Sequence, residues 1–416
     1  MRLIIGATQV FRFKMDVLIT DGYARAALAV TRSLGSKGHN VFVASESEVS
    51  LASSSKYCTQ GLVYPSPRET PEAFIEYLVE SVERHHIQVL IPVTDVCLLL
   101  VSKHRDRFPD SCMLPIADDA AINAAADKNH ILELAKSIGM PVPMSLVIPT
   151  KEDVKEKLAG DQLDYPVVLK PVRSRVKSGG RWVSTAVDYA KDRDELQSKL
   201  MSFVEEVFPV ILQERVSGVG SGAFYCFDSG RCIAKFAHSR IREKPPSGGV
   251  SVFRESKQID PIVDDYSQKL LGALGWHGVA MVEFKIDEQT GNAYIMEING
   301  RFWGSLQLAI DAGVDFPQIL ISLASGQSQS EPPEYKTGVK SRWFWGDVDL
   351  LLIYLLKKRE VLNLPKDHPG RVKSILSILL PWTKGQQFEI LRLSDLGPWF
   401  YETKRWINAN FFNKGR

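Results

Sequence analysis

The chain has 416 residues, of which 44% are hydrophobic and 24% are charged, a composition typical of a globular protein with two or three domains. Its net charge of +2 and lack of a concentrated basic block give no argument for binding nucleic acid. The five cysteines are an odd number without a Cys-x-x-Cys pair. This favours reduced thiols in a cytoplasmic protein over a disulfide framework or a zinc site.

Strands and helices alternate in the first part of the chain. Residues 1–14 show no signal-peptide pattern and are interpreted as an N-terminal extension. The alternation then predicts a doubly wound parallel α/β domain at residues 15–125. Its predicted elements are strands at 16–20, 41–44 and 89–93 and helices at 23–37 and 71–84.

The first strand–helix turn, Thr20-Asp21-Gly22-Tyr23-Ala24-Arg25, contains one glycine. A dinucleotide-binding turn needs three glycines so that the backbone can approach the pyrophosphate. The sequence therefore argues against nicotinamide or flavin binding. Ligands of open α/β sheets bind at the carboxyl ends of the strands, which makes Asp21 and Thr94-Asp95 candidates for substrate contact.

A buried, β-branched strand at 165–171 ends in Lys170-Pro171, after a helix that begins at Asp127-Lys128. Burying a lysine is costly unless it meets an anion, although a lysine at a strand end can also extend its ammonium group to solvent. The basic segment Arg173–Gly180 follows. Ser178, Gly179 and Gly180 could close over phosphates through backbone N–H groups, or could form a plain hairpin connection.

The segment 210–216 reads as a further buried strand, Ser217–Gly222 as a flexible connection, and 223–242 as more strands. A loop at 245–249 is rimmed by arginines that could hold a substrate carboxylate, and the segment 244–250 is a candidate lid. The predicted substrate contacts are Arg240, Arg242, Gly248, Gly249 and Arg254.

A predicted hairpin carries the densest group of candidate site residues. Its strands, at 279–286 and 293–298, flank a polar turn that contains Gly291. Side chains alternate along a strand, so Glu297 and Asn299 point to one side, where Glu283 of the neighbouring strand can join them. Such hard oxygen ligands suit Mg²⁺. Arg301 would suit charge that develops on a transferred phosphoryl group.

Beyond a polar linker at 326–333 the chain becomes rich in aromatic and basic residues, without a catalytic pattern. We interpret residues 327–416 as a mainly helical extension that packs on the body of the protein. Two alternatives stay open, a dimerisation surface and a membrane-interface helix. The longest apolar run of this region, at 350–356, is too short to span a bilayer.

The order of these features resembles the ATP-grasp superfamily, in its carboxylate–amine ligase branch. The resemblance covers about residues 16–325, and its most specific part is Met296-Glu-Ile-Asn299-Gly-Arg301. It implies an ATP-grasp domain at 126–326, with lobes of about 126–212 and 213–326, after the N-terminal α/β domain. The basic loop contains fewer glycines than those of many relatives.

The resemblance also implies a role for each matching position. ATP phosphates would contact Lys170, Lys128 and the loop that contains Ser178, Gly179 and Gly180, and Arg301 would stabilise the transferring phosphoryl group. The segment that holds adenine comprises Gln213, Glu214, Arg215 and Val216. The Mg²⁺ ligands, with Mn²⁺ as a substitute, are Glu283, Glu297 and Asn299.

The function implied is an ATP-dependent ligase that joins a small carboxylic acid to an amine, either of which could be an amino acid, through an acyl phosphate. A homodimer is possible by the same resemblance. A phosphotransferase with the same ATP site and a nucleotide-binding scaffold or sensor protein are the alternatives.

Overall fold

The fold was obtained as a computed structural model, which describes residues 14–160, 163–173, 175–178, 181–246, 249–327, 331–358, 362, 364, 369–380 and 385–412. The predicted site residues Gly179, Gly180 and Gly248 lie outside the described residues, and Ser178 is described through its backbone alone. The predicted fold class is confirmed, since an N-terminal parallel α/β layer is followed by two further sheets, a two-stranded hairpin and a mainly helical C-terminal region.

The N-terminal sheet has four parallel strands in the order β3-β2-β1-β4. Alternate residues of β1 point to opposite faces, each covered by helices: Val17 and Ile19 pack with α1, and Leu18 packs with α2 and α3. The elements are β1 (Asp16–Ile19), α1 (Arg25–Ser36), β2 (Asn40–Ser45), β3 (Gln60–Val63), α2 (Pro71–Arg84), β4 (Val89–Ile91), α3 (Asp95–Lys103) and α4 (Asp119–Ala126). The sequence interpretation had missed β3, α3 and α4.

A second sheet is antiparallel, with the order β5-β10-β6-β9. Helices α6 and α7 cover one face through apolar side chains such as Leu158 and Leu196. The elements are α5 (Lys128–Ser137), β5 (Ser145–Ile148), α6 (Val154–Ala159), β6 (Val167–Pro171), β9 (Asp188–Ala190), α7 (Arg193–Ser202) and β10 (Val210–Glu214). A separate hairpin, β7 (Arg175–Ser178) with β8 (Arg181–Ser184), occupies the predicted phosphate loop.

The third sheet has seven strands in the order β15-β14-β11-β12-β13-β16-β17, and all neighbours are antiparallel except the last pair. Residues 218–222 of the predicted flexible connection instead belong to β11, which pairs with β14 from Gly218 onward. The elements are β11 (Gly218–Asp228), β12 (Arg231–Lys244), β13 (Val250–Lys257), α8 (Pro261–Ala273), β14 (Gly278–Asp287), β15 (Ala293–Asn299), α9 (Leu306–Ala312), α10 (Phe316–Ala324), β16 (Lys340–Arg342) and β17 (Gln386–Phe388).

The C-terminal region packs on the rest of the chain and contributes β16 and β17 to the large sheet. Its helices are α11 (Phe344–Leu356), α12 (Arg371–Leu379) and α13 (Gly397–Ile407). Trp345 of α11 stacks on Trp406 of α13 with ring centroids 4.1 Å apart. Acidic residues of this region pair with arginines from the rest of the chain, in the pairs Arg25–Glu389, Arg32–Asp395, Arg242–Asp347 and Arg254–Glu389.

One face of α12 stays exposed, although it is apolar. Val372, Leu376, Leu379 and Leu380 recur at the spacing of a helical stripe, and each is more than half exposed. A dimer interface and a membrane contact through this region therefore remain predictions. Among the described helices, no single one is long and apolar enough to cross a bilayer. Helices α9 and α10 reach that length and apolar composition only when taken together, but the pair is bent by 91° and lies in the core.

Replacing Glu389 with glutamine should destabilise the protein strongly. Arg254 is only 1% exposed and pairs with Glu389, which also accepts from Arg25. Removing one partner of a buried ion pair leaves an uncompensated charge and costs about 3–5 kcal/mol. Urea unfolding should show this loss. Glu334→Gln, at an exposed position, should change the free energy of unfolding by less than about 0.5 kcal/mol; equal effects of the two variants would contradict the interpretation.

Candidate active site

The hairpin of β14 and β15 brings three predicted metal ligands together. Glu283 lies directly opposite Glu297 in the strand register, and Asn299 follows on the same face of β15. The Asn299 Nδ2 donates to Glu297 Oε1 at 3.0 Å. The convergence expected from strand alternation is thus present, and the role of these groups as metal ligands remains a prediction.

The electrostatics of this cluster suit a cation. Burial raises the pKa of Glu283, the nearby Glu297 adds to the rise, and Arg240 opposes it, with its Nη2 3.3 Å from Glu283 Oε2. A divalent cation would relieve the repulsion between the two carboxylates. Two carboxylates and an amide oxygen fit Mg²⁺, which keeps several waters or substrate oxygens. Among the side chains that the structure describes, no group of three His, Cys, Asp or Glu residues could hold a metal.

A narrow cleft separates the second sheet from β15. It encloses about 10 Å³, and its walls include Lys128, Lys170, Gln213 and Met296. Lys170 is 7% exposed, and its ammonium group donates to Gln213 Oε1, while Gln213 Nε2 donates to Ser145 Oγ at 2.9 Å. Lys170 is thus buried and Lys128 half-buried; burial lowers the pKa of both lysines, and the nearby Glu297 opposes this shift.

The predicted adenine segment lies at the end of β10, at the rim of the same sheet. The Glu214 carboxylate accepts from the Met144 backbone N–H at 3.1 Å, which ties this segment to the start of β5. Arg215 is exposed and Val216 is half-buried. The structure thus places Gln213 inside the cleft and the next three residues at its edge.

Arg301 lies where the hairpin meets the N-terminal sheet. Its Nε and Nη2 donate to the two carboxylate oxygens of Asp95 at 2.9 and 3.2 Å, and Nη2 also donates to Asn299 Oδ1 at 3.2 Å. Asp21 accepts from the N–H and hydroxyl of Thr94, both at 3.0 Å. The two strand ends predicted as substrate contacts therefore meet at one edge of the sheet, and one of them holds Arg301.

The predicted substrate arginines differ in their surroundings. Arg240 lies beside Glu283 and Glu243, within reach of the proposed metal site. Arg242 and Arg254 donate instead to Asp347 and Glu389, and their contact with substrate stays a prediction. Gly249 packs tightly, since a Cβ there would lie 2.5 Å from the Lys244 carbonyl oxygen.

A second cavity, of about 300 Å³, opens on the other side of the Asp95–Arg301 pair. We call it the arginine cavity, because Arg25, Arg68 and Arg301 line it together with Tyr23 and Thr94. Its lining comes from the segments that follow β1, β3, β4 and β15. Sequence patterns did not reveal Arg25 and Arg68, since neither belongs to a recognisable motif.

Substituting Gly300 with alanine should disturb the site from within. The new Cβ would lie 2.6 Å from Trp276 Cη2, so the buried Trp276 ring, which is 1% exposed, would have to shift. We expect a loss of about 1–3 kcal/mol in the free energy of unfolding and weakened nucleotide binding, since Gly300 joins Asn299 to Arg301. Calorimetric titration with MgADP and urea unfolding measure both effects. Gly220→Ala, where no atom lies within 4 Å, is the matched control, and equal behaviour of the two variants would refute the packing argument.

Comparisons with known proteins agree with this architecture. The family model described as "ATP-grasp in the biosynthetic pathway with Ter operon" matches residues 226–346. The carbamoyl phosphate synthase large chain, N-terminal section, of Methanopyrus kandleri is 25% identical over 241 residues, which are 55% of this chain and 41% of that protein. The chain thus spans less than half the length of this curated relative.

Two solved structures illustrate the similarity in fold. An L-amino acid ligase from Bacillus licheniformis superposes with a TM-score of 0.57 at 14% identity, over 76% of each chain. A biotin carboxylase from Campylobacter jejuni superposes with a TM-score of 0.59 at 15% identity, over 79% of this chain and 74% of that one. The predicted resemblance to the ATP-grasp proteins is therefore confirmed, by the family model over residues 226–346 and by the similarity in fold.

Proposed function

We propose that the protein is an ATP- and Mg²⁺-dependent ligase that joins a carboxylic acid to an amine through an acyl phosphate. The observation that carries this proposal is the position of Lys128, which lines the cleft with Lys170 and the adjoining cavity with Glu297 and Asn299, while Arg301 lies beside Asn299. Cationic groups on one side and metal-binding oxygens on the other suit a nucleotide triphosphate with its magnesium.

Each group then has a role in the proposed reaction. Lys128 and Lys170 bind phosphate oxygens, and Gln213 to Val216 contact the nucleoside. Glu283, Glu297 and Asn299 would hold Mg²⁺, which neutralises charge on the phosphates when bound. Arg301 stabilises the charge on the transferring phosphoryl group. Arg240 is a candidate to orient the acid.

The proposed chemistry has two displacements. An oxygen of the acid attacks the γ-phosphorus, and the bond to the bridging oxygen breaks to release ADP. The amine nitrogen then attacks the acyl carbon, loses a proton and expels phosphate, which leaves an amide. The acyl phosphate must be kept from water, so a site bounded by the N-terminal sheet and the two lobes suits this sequence of steps.

The activities of two structurally similar enzymes support the proposal. The biotin carboxylase was solved as a complex with βγ-ATP, and the Bacillus licheniformis protein is an L-amino acid ligase. We infer that the substrates here are small molecules too, with amino acids as candidates for either role.

Hydroxylamine offers a direct test of the ligase proposal. Incubation with ATP, Mg²⁺, a panel of carboxylic acids and hydroxylamine should give a hydroxamate and one phosphate for each ADP. A phosphorylated product that persists beside hydroxylamine would indicate a phosphotransferase. Nucleotide binding without turnover across the panel would indicate a sensor or scaffold, and either outcome would refute the ligase.

Nucleotide affinity should fall as the pH rises through about 8. Burial and the neighbouring Lys128 lower the pKa of Lys170 to about 8. Its ammonium group is therefore charged below that pH, where it attracts phosphate, and neutral above it. Calorimetric titration of MgADP between pH 7 and pH 9 should show weakening at high pH. In Lys170→Arg the side chain stays charged, so the affinity for MgADP should depend less on pH. Identical pH profiles of affinity for the two proteins would contradict the role of Lys170 in binding phosphate.

A further inference from the structure

A cavity of about 410 Å³ lies between α3, α4 and the end of β15, and we call it the α3–α4 cavity. At one end it contains Glu297 and Asn299, the proposed metal ligands, with Lys128 beside them. The cavity is thus continuous with the place where phosphoryl transfer is proposed to occur. None of the residues assigned above to the nucleoside lines it.

The rest of the lining combines apolar side chains with the polar residues Asp95, Lys103, Asp119, Asn123 and Arg173. Leu98 and Leu99 come from α3, Ile122 and Ala126 from α4, and Trp276 from the segment after α8. Leu99 is half-buried in the folded chain, although it is a strongly apolar side chain on a helix that otherwise packs into the core. A cavity of this size, with a cluster of apolar side chains among several polar groups, can hold a small organic molecule.

The arginine cavity offers a contrast. It lies across the Asp95–Arg301 pair and is lined by Arg25, Arg68 and Arg301, so it suits an anionic group. The α3–α4 cavity adjoins Glu297 and Asn299 directly, where the acid must place its carboxylate to meet the γ-phosphate. The remainder of an acid bound there would extend among Leu98, Leu99 and Ile122.

We propose that the α3–α4 cavity receives the apolar tail of the carboxylate substrate, so that the substrate is an acid with an aliphatic or aromatic tail. This inference rests on the proposed function, because it uses the position of the reacting carboxylate. Filling the cavity with a tail also displaces water from the side of the acyl phosphate, which protects it from hydrolysis.

Straight-chain acids from acetate to octanoate test this assignment by binding alone. Their dissociation constants, measured by calorimetry in the presence of MgADP, should fall by up to about fourfold for each added methylene until the cavity is full. Succinate, with a charged tail, should bind more weakly than butanoate, which has the same number of carbons. Affinity that is independent of chain length, or stronger for succinate, would overturn the inference.

A larger and a smaller residue at Leu99 should shift the preferred chain length of the acid in opposite directions. Leu99→Trp reduces the cavity and should favour shorter acids, whereas Leu99→Ala enlarges it and should favour longer ones. Ala120→Trp, at an exposed position of α4 outside the lining, should leave the preferred length unchanged. If neither Leu99 variant moves the preference while both still bind MgADP, the cavity does not hold the tail.

Hydroxamate formation, measured on the same proteins, separates this inference from the proposed function. If the affinity for acids depends on chain length and changes in the Leu99 variants, but no hydroxamate forms, the tail site is supported and the ligase proposal is refuted. If hydroxamate forms in yields that depend neither on the length of the acid nor on the residue at position 99, the ligase proposal is supported and the tail site is refuted.

Discussion

Replacing Glu297 with glutamine should lower Mg²⁺-dependent turnover by at least about 100-fold, since a metal centre contributes several kcal/mol of charge stabilisation. The substitution keeps the size of the side chain and removes the charge that faces Glu283 across the hairpin. The Oε1 of the new glutamine can still accept from Asn299 Nδ2, so the substitution removes mainly the charge. We expect binding of ADP alone to persist, while its enhancement by Mg²⁺ is lost.

Glu288→Gln is the matched control for this variant. Glu288 lies in the exposed turn of the same hairpin, so its loss should leave both turnover and Mg²⁺ dependence unchanged. Titration of nucleotide with and without Mg²⁺, together with steady-state turnover, measures the effect. Wild-type turnover in Glu297→Gln would contradict the assignment of the metal site to this hairpin.

Replacing Arg301 with alanine should lower kcat by about 10²–10³-fold, the effect of losing one group that stabilises transition-state charge. KM for ATP should change little, because the proposed contact strengthens only during transfer. Arg301→Lys keeps the charge but loses the planar two-donor geometry, so it should recover part of the rate. The steady-state constants of the three proteins measure this directly.

Asp95 provides a second variant for the same question. Its carboxylate holds Arg301 through two hydrogen bonds, so Asp95→Asn should misplace the guanidinium group without removing it. We expect a smaller loss of kcat than in Arg301→Ala, and no added loss when the two changes are combined. Fully additive losses would show that Asp95 acts independently of Arg301.

Local patterns were sufficient to predict the hairpin. Glu283, Glu297 and Asn299 interrupt otherwise apolar strands, and strand alternation alone decides which side chains share a face. The same holds for Lys170, a single charge at the end of a buried strand. These positions depend on neighbours a few residues away or on one adjacent strand, so the sequence contains the information directly.

Helix α3 was missed for a local reason. Residues 96–101, Val-Cys-Leu-Leu-Leu-Val, are continuously apolar and follow a strand, so they show no helical period that would reveal the change of structure. The α3–α4 cavity was consequently beyond prediction. It requires α3, α4 and β15 together, and about 200 residues separate α3 from β15 along the chain.

The ion pairs of Arg242 and Arg254 were not predicted, because their partners are distant in sequence. Arg242 meets Asp347, 105 positions later, and Arg254 meets Glu389, 135 positions later. Nothing in the local pattern distinguishes an arginine that binds a substrate from one that binds a remote carboxylate. The C-terminal region thus supplies carboxylates that stabilise the fold, which local sequence patterns did not reveal.

The transfer of an oxygen atom from acid to phosphate tests the proposed reaction most directly. A carboxylic acid that supports hydroxamate formation would be labelled with ¹⁸O in its carboxylate and incubated with ATP, Mg²⁺ and hydroxylamine. An acyl-phosphate pathway predicts one ¹⁸O atom in each phosphate released, as read by mass spectrometry. Phosphate without label, formed together with the hydroxamate, would contradict phosphoryl transfer to the carboxylate.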